Sequence, residues 1–260
     1  MSSKQITVLG GSGFLGSELS DMLAKRNYKV IIFDIKKKSP LKINQKFIKG
    51  SVLNIKKLSK AIKGSRIVLN FAALADIDIA RDKPIDTIKI NVLGTVNSLI
   101  LCKKFKVKKF IHASSIYANS EQGGFYASSK KAAEDYIEKF YQKFKMKFTI
   151  LRFGSLYGPR APKNNGVNII IDEALKNNTL SYKGSILAAR RYVHVTDATR
   201  ACLKSISRKY DNKYLNITGN KQIKIKLLMK LLAKFMKMEN SDIKYRNLKL
   251  EGHYIHTPMK

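Results

Sequence analysis

Apolar and polar positions follow two alternating periods along the first 150 residues. Short runs rich in β-branched residues read as strands: Gln5–Gly10, Tyr28–Asp34 (YKVIIFD), Lys46–Lys49, Arg66–Phe71 (RIVLNF), Lys108–Ala113 (KKFIHA) and Phe148–Phe153 (FTILRF). Between them apolar residues recur at helical spacing, from about Phe14 to Arg26 and over Ile55–Ile62, Asp86–Phe105 and Tyr126–Phe144. Regular strand–helix alternation predicts an α/β fold with a doubly wound parallel sheet, because parallel neighbours need a crossover and a helix supplies it. After about Arg152 the rhythm loosens into a Gly-Pro-rich loop (YGPRAPKNNG), short strands and the amphipathic Ile225–Met236. The pattern therefore predicts a sheet domain over 1–153, with a sheet contribution from about 185–200, and a smaller C-terminal lobe mainly over 154–260.

The turn after the first strand narrows the class. Gly10, Gly13 and Gly16 in GGSGFLG lie between that strand and the first helix, so the sheet reads as a Rossmann-type dinucleotide domain. The first glycine permits the tight turn. The second lets a pyrophosphate approach backbone N–H groups at the helix N-terminus, beside Phe14 and Leu15, and the third lets helix pack on strand. Asp34 closes the second strand eighteen residues past Gly16. A carboxylate there accepts hydrogen bonds from the adenosine ribose and repels a 2′-phosphate, which favours NAD over NADP.

Downstream, Tyr126 and Lys130 stand four residues apart in FYASSKKAAEDYI, on one face of a helix. An ammonium beside a phenol favours the phenolate, so the Tyr126 pKa is expected to fall from roughly 10 toward the range useful for proton transfer. A tyrosine and lysine at this spacing, after a nucleotide fingerprint, point to redox enzymology.

Composition changes the picture little. The chain has 260 residues, 44% hydrophobic, and a formal charge of +33 from 51 Lys and Arg against 18 Asp and Glu. Lysine dominates the excess and spreads along the whole length, as in Lys36-Lys37-Lys38 and Lys103-Lys104, so a solvated surface explains it without specific nucleic-acid binding. No apolar run approaches the ~20 residues of a membrane helix, so no insertion is expected, and the start MSSKQITVLGG does not read as a signal peptide. Cys102 and Cys202 lack metal-ligand spacing and read as buried thiols. His112 and His194 fall on strands, and His253 and His256 have no carboxylate or cysteine at ligand spacing, so no metal site is expected. Cytoplasmic location is the default.

These residues together resemble the extended short-chain dehydrogenase/reductase family, within it the NAD-dependent nucleotide-sugar epimerase/dehydratase group. The resemblance runs over nearly the whole chain: the glycine turn, VLNFAALAD with Ala72 and Ala73, NVLGTVNSL opening at Asn91, HASSIYA with Ser115, LRFGSLYGPRA and RRYVHVTDA. It implies that Ser115, Tyr126 and Lys130 are catalytic, Tyr126 as acid/base, Ser115 bonding the reacting oxygen, and Lys130 holding the nicotinamide ribose as well. It implies cofactor contacts at Gly10, Gly13, Phe14, Leu15, Gly16, Asp34, Ser51, Val52, Ala72, Ala73, Asn91, Tyr126, Lys130 and Phe153. It implies substrate contacts at Ser155 and at Arg190, whose fork suits a pyrophosphate. A homodimer through Asp86–Phe105 and Tyr126–Phe144, and a place in polysaccharide biosynthesis, are implied in the same way.

Three departures from the family stand out. Gly50-Ser51 replaces its Gly-Asp, Ser155 replaces the asparagine of Asn-x-Tyr-Gly-Pro, and only ten residues separate Ser115 from Tyr126. The short loop predicts a site that is open or completed by another element. Dehydratases and decarboxylases of the group carry acidic residues after the catalytic Ser or Thr, where this chain has Ile116-Tyr117. That favours epimerisation of a nucleotide sugar, at C4, through a transient keto sugar. The alternatives are an NAD(P)-dependent reductase or dehydrogenase of a nucleotide sugar, and a catalytically weak NAD-binding regulatory or RNA-associated protein.

Overall fold

The computed structural model describes residues 4–37, 40–246, 253 and 255–257. The chain begins β1 (Gln5–Leu9), α1 (Phe14–Lys25), β2 (Lys29–Asp34), β3 (Gln45–Lys49), α2 (Ile55–Ile62), β4 (Ile67–Asn70) and α3 (Ile77–Asp82). One continuous helix α4 (Pro84–Lys104) follows, wound as a π-turn over Ile88–Leu93. Then come β5 (Lys109–Ser115), α5 (Gly124–Phe144), β6 (Lys147–Phe153), β7 (Ser155–Tyr157), α6 (Gly166–Asn177), β8 (Leu180–Lys183), β9 (Ala189–Arg190) and β10 (Tyr192–His194). The last elements are α7 (Val195–Ser205), β11 (Lys213–Ile217), β12 (Ile223–Lys224), α8 (Ile225–Met236) and β13 (Ile243–Arg246).

Seven parallel strands form the main sheet in the order β11-β6-β5-β4-β1-β2-β3. The order reverses direction between β1 and β4, which opens a crevice at their carboxyl ends, the place where such sheets bind ligands. Each face of the sheet has its own core. On one side α1 and α7 bring Leu15, Leu19, Leu23, Ala198 and Cys202 against Ile6, Val8 and Val30. On the other, α2, α4 and α5 bring Leu58, Ile62, Leu99, Cys102 and Ile137 against Leu9, Val68 and Phe110. Each full burial of such a leucine or isoleucine stabilises by about 1.5–3 kcal/mol. Both cysteines are free, fully buried thiols whose pKa burial pushes up.

The expected sheet contribution from 185–200 is corrected. That stretch holds β9, β10 and most of α7, and the seventh strand is β11. The three residues of β10 pair with β7, whereas β11 lies in a five-residue register along β6. YVHV has the β-branched look of an inner strand, whereas KYLNI, with Lys213 and Asn216 exposed, suits a sheet edge. The six-residue α3 is a further addition, capped by Asp76 through Ile79 N–H at 2.9 Å. By length and composition α4 is apolar enough to cross a membrane, contrary to the expectation that no stretch would be. Half of that stretch is buried, and its Leu99, Leu101 and Cys102 sit in the second core, so packing on the sheet accounts for its apolarity.

Among the described residues, the later part adds three two-stranded sheets, β10–β7, β12–β9 and β13–β8. A separate apolar cluster of Ile170, Ala174, Leu180, Ile225, Met229 and Ala233 joins α6, β8 and α8.

Candidate active site

The glycine turn sits at the crevice because nothing larger fits. Gly10 has φ +71°, and a Cβ there would meet Ala72 N at 2.6 Å. A Cβ on Gly16 would meet Gly10 O at 2.2 Å. Gly13 caps α1 without a side chain, so among the described residues no side-chain cap occupies the N–H groups of the first turn around Phe14 and Leu15. A helix start of that kind is built to receive an anion. Asp34 ends β2 beside it, taking Ser12 N–H on Oδ2 at 2.9 Å and Lys36 N–H on Oδ1 at 3.3 Å. Cradle, helix start and carboxylate fit the diphosphate and ribose of NAD. Gly16→Ala is expected to lower the NAD retained on purification about tenfold, roughly 1.4 kcal/mol of binding, read by mass spectrometry of the released nucleotide.

Other expected cofactor residues line the same edge. Ser51 Oγ accepts Leu53 N–H at 3.2 Å, and Val52 packs so closely on α4 that a Cβ on Gly94 would meet its Cγ2 at 2.4 Å. Ala72 and Ala73 follow β4 after Phe71, and Phe153 closes β6 with its ring 6.3 Å from that of Phe71. Asn91, expected as a contact, lies on α4. It is buried in the π-turn, a feature frequent at functional sites, and its carboxamide is committed to the protein. Its Oδ1 takes Leu74 N–H at 2.8 Å, while Nδ2 donates to Leu74 O at 3.0 Å and Ser129 Oγ at 2.9 Å. It therefore positions the loop after β4 and the residue preceding Lys130.

Ser115, Tyr126 and Lys130 come together where β5 ends and α5 begins. Ser115 hydrogen-bonds the Tyr126 phenol and takes Tyr117 N–H on its Oγ at 3.3 Å. The Lys130 ammonium lies 5.8 Å from the centre of the Tyr126 ring and donates to Ala113 O at 2.8 Å. The lowering of Tyr126 expected from Lys130 is not what these side chains produce. Burial pushes the phenol up to about 12, with the Ser115 hydrogen bond acting the other way. Burial also holds Lys130 down to about 8, opposed by the charge of Glu134.

The short loop is completed by neighbours. Ile116–Asn119 winds into a 3-10 turn, and the Tyr117 ring stands edge-on to Tyr126 at 6.2 Å. Ala80 of α3, with Leu74 and Ile77, packs over Tyr117, Tyr126 and Ala127. Between Ser115 and Tyr126 the chain carries one carboxylate, Glu121, which is exposed.

The sequence reading missed a buried ionic network. Glu134, one turn beyond Lys130, is fully buried and takes Ser114 Oγ at 2.5 Å. Arg152 of β6 grips it with two bonds, Nε to Oε1 at 3.0 Å and Nη2 to Oε2 at 2.6 Å. Three successive residues of β5, Ala113, Ser114 and Ser115, are thus pinned to Lys130, Glu134 and Tyr126 of α5. The spacing of Glu134 from Tyr126 and Lys130 on one helix was the available signal. Its partner on β6 gave none.

Ser155 pairs in register with Tyr192 of β10, which follows Arg190 of β9 by two residues along the chain. Arg190 donates from Nη1 to Ile255 O at 2.9 Å. Among the histidines, His112 is buried on β5 with its pKa well below the ordinary value, from burial and the Lys130 charge, and His194 caps α7 through Thr196 N–H at 3.3 Å. His253 reaches 3.7 Å from Asp78, a neighbour that its sequence position did not suggest.

A parallel dinucleotide sheet with a serine, tyrosine and lysine meeting at the end of β5 defines a short-chain, NAD-dependent enzyme class. The sequence profile of the NAD dependent epimerase/dehydratase family matches residues 6–218, and the chain belongs to that family. It is similar to a solved UDP-glucose 4-epimerase of Thermotoga maritima with UDP-glucose, at 26% identity and a TM-score of 0.90 over 98% of this chain and 89% of that one. It is 29% identical over 249 residues, 87% of this chain and 81% of the relative, to a Methanocaldococcus jannaschii protein provisionally named a UDP-glucose 4-epimerase. It is 27% identical over 271 residues to the human dTDP-D-glucose 4,6-dehydratase, covering 94% of this chain and 77% of the relative.

Proposed function

We propose that the protein epimerises a nucleotide sugar at C4, with Tyr126 as acid/base. The observation that carries this reading is the Ser115–Tyr126 hydrogen bond beside an anchored Lys130, with no acid where a dehydration needs one. When bound, NAD supplies the hydride acceptor and donor and, in its oxidised form, a positive charge. Gly10, Gly13, Gly16 and Asp34 would hold its adenosine diphosphate, and Lys130 its second ribose. Tyr126 would take and return the proton of the sugar hydroxyl, while Ser115 bonds the same oxygen and keeps it in line. Lys130, tied to Ala113 O, stabilises the phenolate during that exchange. The lobe from residue 154 onward would take the nucleotide and sugar, through Ser155 and Arg190.

Dehydration needs a second acid/base pair. Ile116 and Tyr117 are buried and cannot supply one, and Glu134 is consumed by Arg152. A net reductase or dehydrogenase would use the same three residues and differ in releasing NAD(H). Purified protein carrying NAD and converting UDP-, GDP- or dTDP-sugars without added cofactor, followed by NMR, supports epimerisation. Turnover only with added NAD(H) would support the second reading, and bound NAD with no turnover on any sugar would remove both.

What α4 and α5 leave exposed supports a homodimer through these two helices. Ile88, Leu93 and Ile100 on α4 and Phe125 and Tyr136 on α5 are large apolar side chains at the surface. Sedimentation at micromolar concentration is expected to give twice the chain mass, and Ile100→Glu to return it to one. The reading places the enzyme in the cytoplasm.

A further inference from the structure

Helix α8 carries a feature that nucleotide-sugar chemistry does not use. Its buried side, Ile225, Met229 and Ala233, packs in the cluster with α6 and β8. The outer side repeats one pair three times at four-residue intervals: Lys226-Leu227, Lys230-Leu231 and Lys234-Phe235. The three apolar members are exposed, by 50% at Leu227, 38% at Leu231 and 83% at Phe235, and the three lysines are exposed as well. At about 100° per residue the apolar members form one ridge and the lysines a second, roughly 100° further round the helix. No carboxylate lies within Ile225–Met236.

Leucine and phenylalanine turned to water cost free energy, and among the described residues nothing covers these three. A ridge of these residues flanked by a row of lysines is the arrangement that lies in a bilayer interface. The apolar side chains enter the acyl boundary and the long lysine stems reach back to the headgroups. Charge fixes the kind of bilayer, because a chain of net charge +33 with an all-basic docking helix is complementary to anionic lipid. A nucleic acid would use the lysines but leaves the leucines without a partner. We propose that α8 is a peripheral docking helix for an anionic membrane surface, lying in the plane of the interface. The helix follows directly from β12, whose Ile223 pairs with Arg190, so docking would bring the nucleotide-sugar lobe next to the bilayer.

The test is co-sedimentation of the full-length protein with large unilamellar vesicles near 150 mM salt. One set is phosphatidylcholine alone and the other contains phosphatidylglycerol at about a quarter of the lipid. The expected result is binding to the anionic vesicles only. Leu227→Ser/Leu231→Ser/Phe235→Ser should weaken it about tenfold, and Lys226→Gln/Lys230→Gln/Lys234→Gln by a similar factor. Circular dichroism should be unchanged in both variants, since every altered side chain is exposed. Three results would each overturn the proposal. One is no binding by the unaltered protein, and another is binding indifferent to the serine variant, which is adsorption of net charge. The third is a self-association or RNA affinity that the variants abolish while vesicles are ignored.

Discussion

Tyr126→Phe is expected to lower kcat by about two to four orders of magnitude, the range contributed by a positioned acid/base. KM for the nucleotide sugar should stay within a few-fold, because the ring remains and only the hydroxyl is lost. The ring is buried and packs edge-on against Tyr117, so its removal would damage the fold, whereas loss of the hydroxyl removes one hydrogen bond to Ser115. Retention of NAD and an unchanged melting temperature would separate loss of chemistry from loss of structure. A variant that kept a tenth or more of the activity would show that another group moves the proton.

Arg152→Met should be the most damaging single change to stability. It leaves Glu134, fully buried, with Ser114 Oγ as its remaining side-chain donor, and it removes a guanidinium 4.5 Å from the centre of the Tyr214 ring. Breaking one side of a buried ion pair costs about 3–5 kcal/mol, since the stranded charge keeps its desolvation penalty. For a chain of this size that is roughly 10 °C in melting temperature. Removing both charges, as Glu134→Leu/Arg152→Met, should recover most of the loss, because the penalty goes with the charge. Thermal unfolding of the two variants and the parent decides this, and a single variant within about 1 kcal/mol of the parent would contradict it.

The two variants probe different layers of one construction. Tyr126, Lys130 and Glu134 stand at successive turns of α5, and each is tied to a different residue at the end of β5. The reacting phenol and the lysine beside it are therefore located by the sheet. The Glu134–Arg152 pair then fixes α5 against β5 and β6 at that same end.

Much of the fold was legible because its inner strands are apolar on both faces, as in KVIIFD and RIVLNF, with helical spacing between them. The edge strand Lys213–Ile217 escaped because only part of an edge strand is covered and its pattern is diluted with Lys213 and Asn216. The glycine turn and the spacing of Tyr126 and Lys130 were readable because each obeys a local constraint, a turn in one case and a helix face in the other. The electrostatics were not. Whether Lys130 lowers Tyr126 depends on how deeply both are buried and on what Nζ donates to, and Ala113 O is a long-range partner that no local pattern encodes. The same holds for Arg152, eighteen residues from Glu134.

The most direct test of the central claim is the fate of a deuterium at C4 of a nucleotide sugar that the protein turns over. Removal and return of hydride within one bound complex predicts an epimerised product that retains the deuterium at C4, in ordinary water and without added NAD. Deuterium lost to solvent would mean that a proton is moved instead. Deuterium found in free NADH would mean net dehydrogenation. Either result would contradict the account.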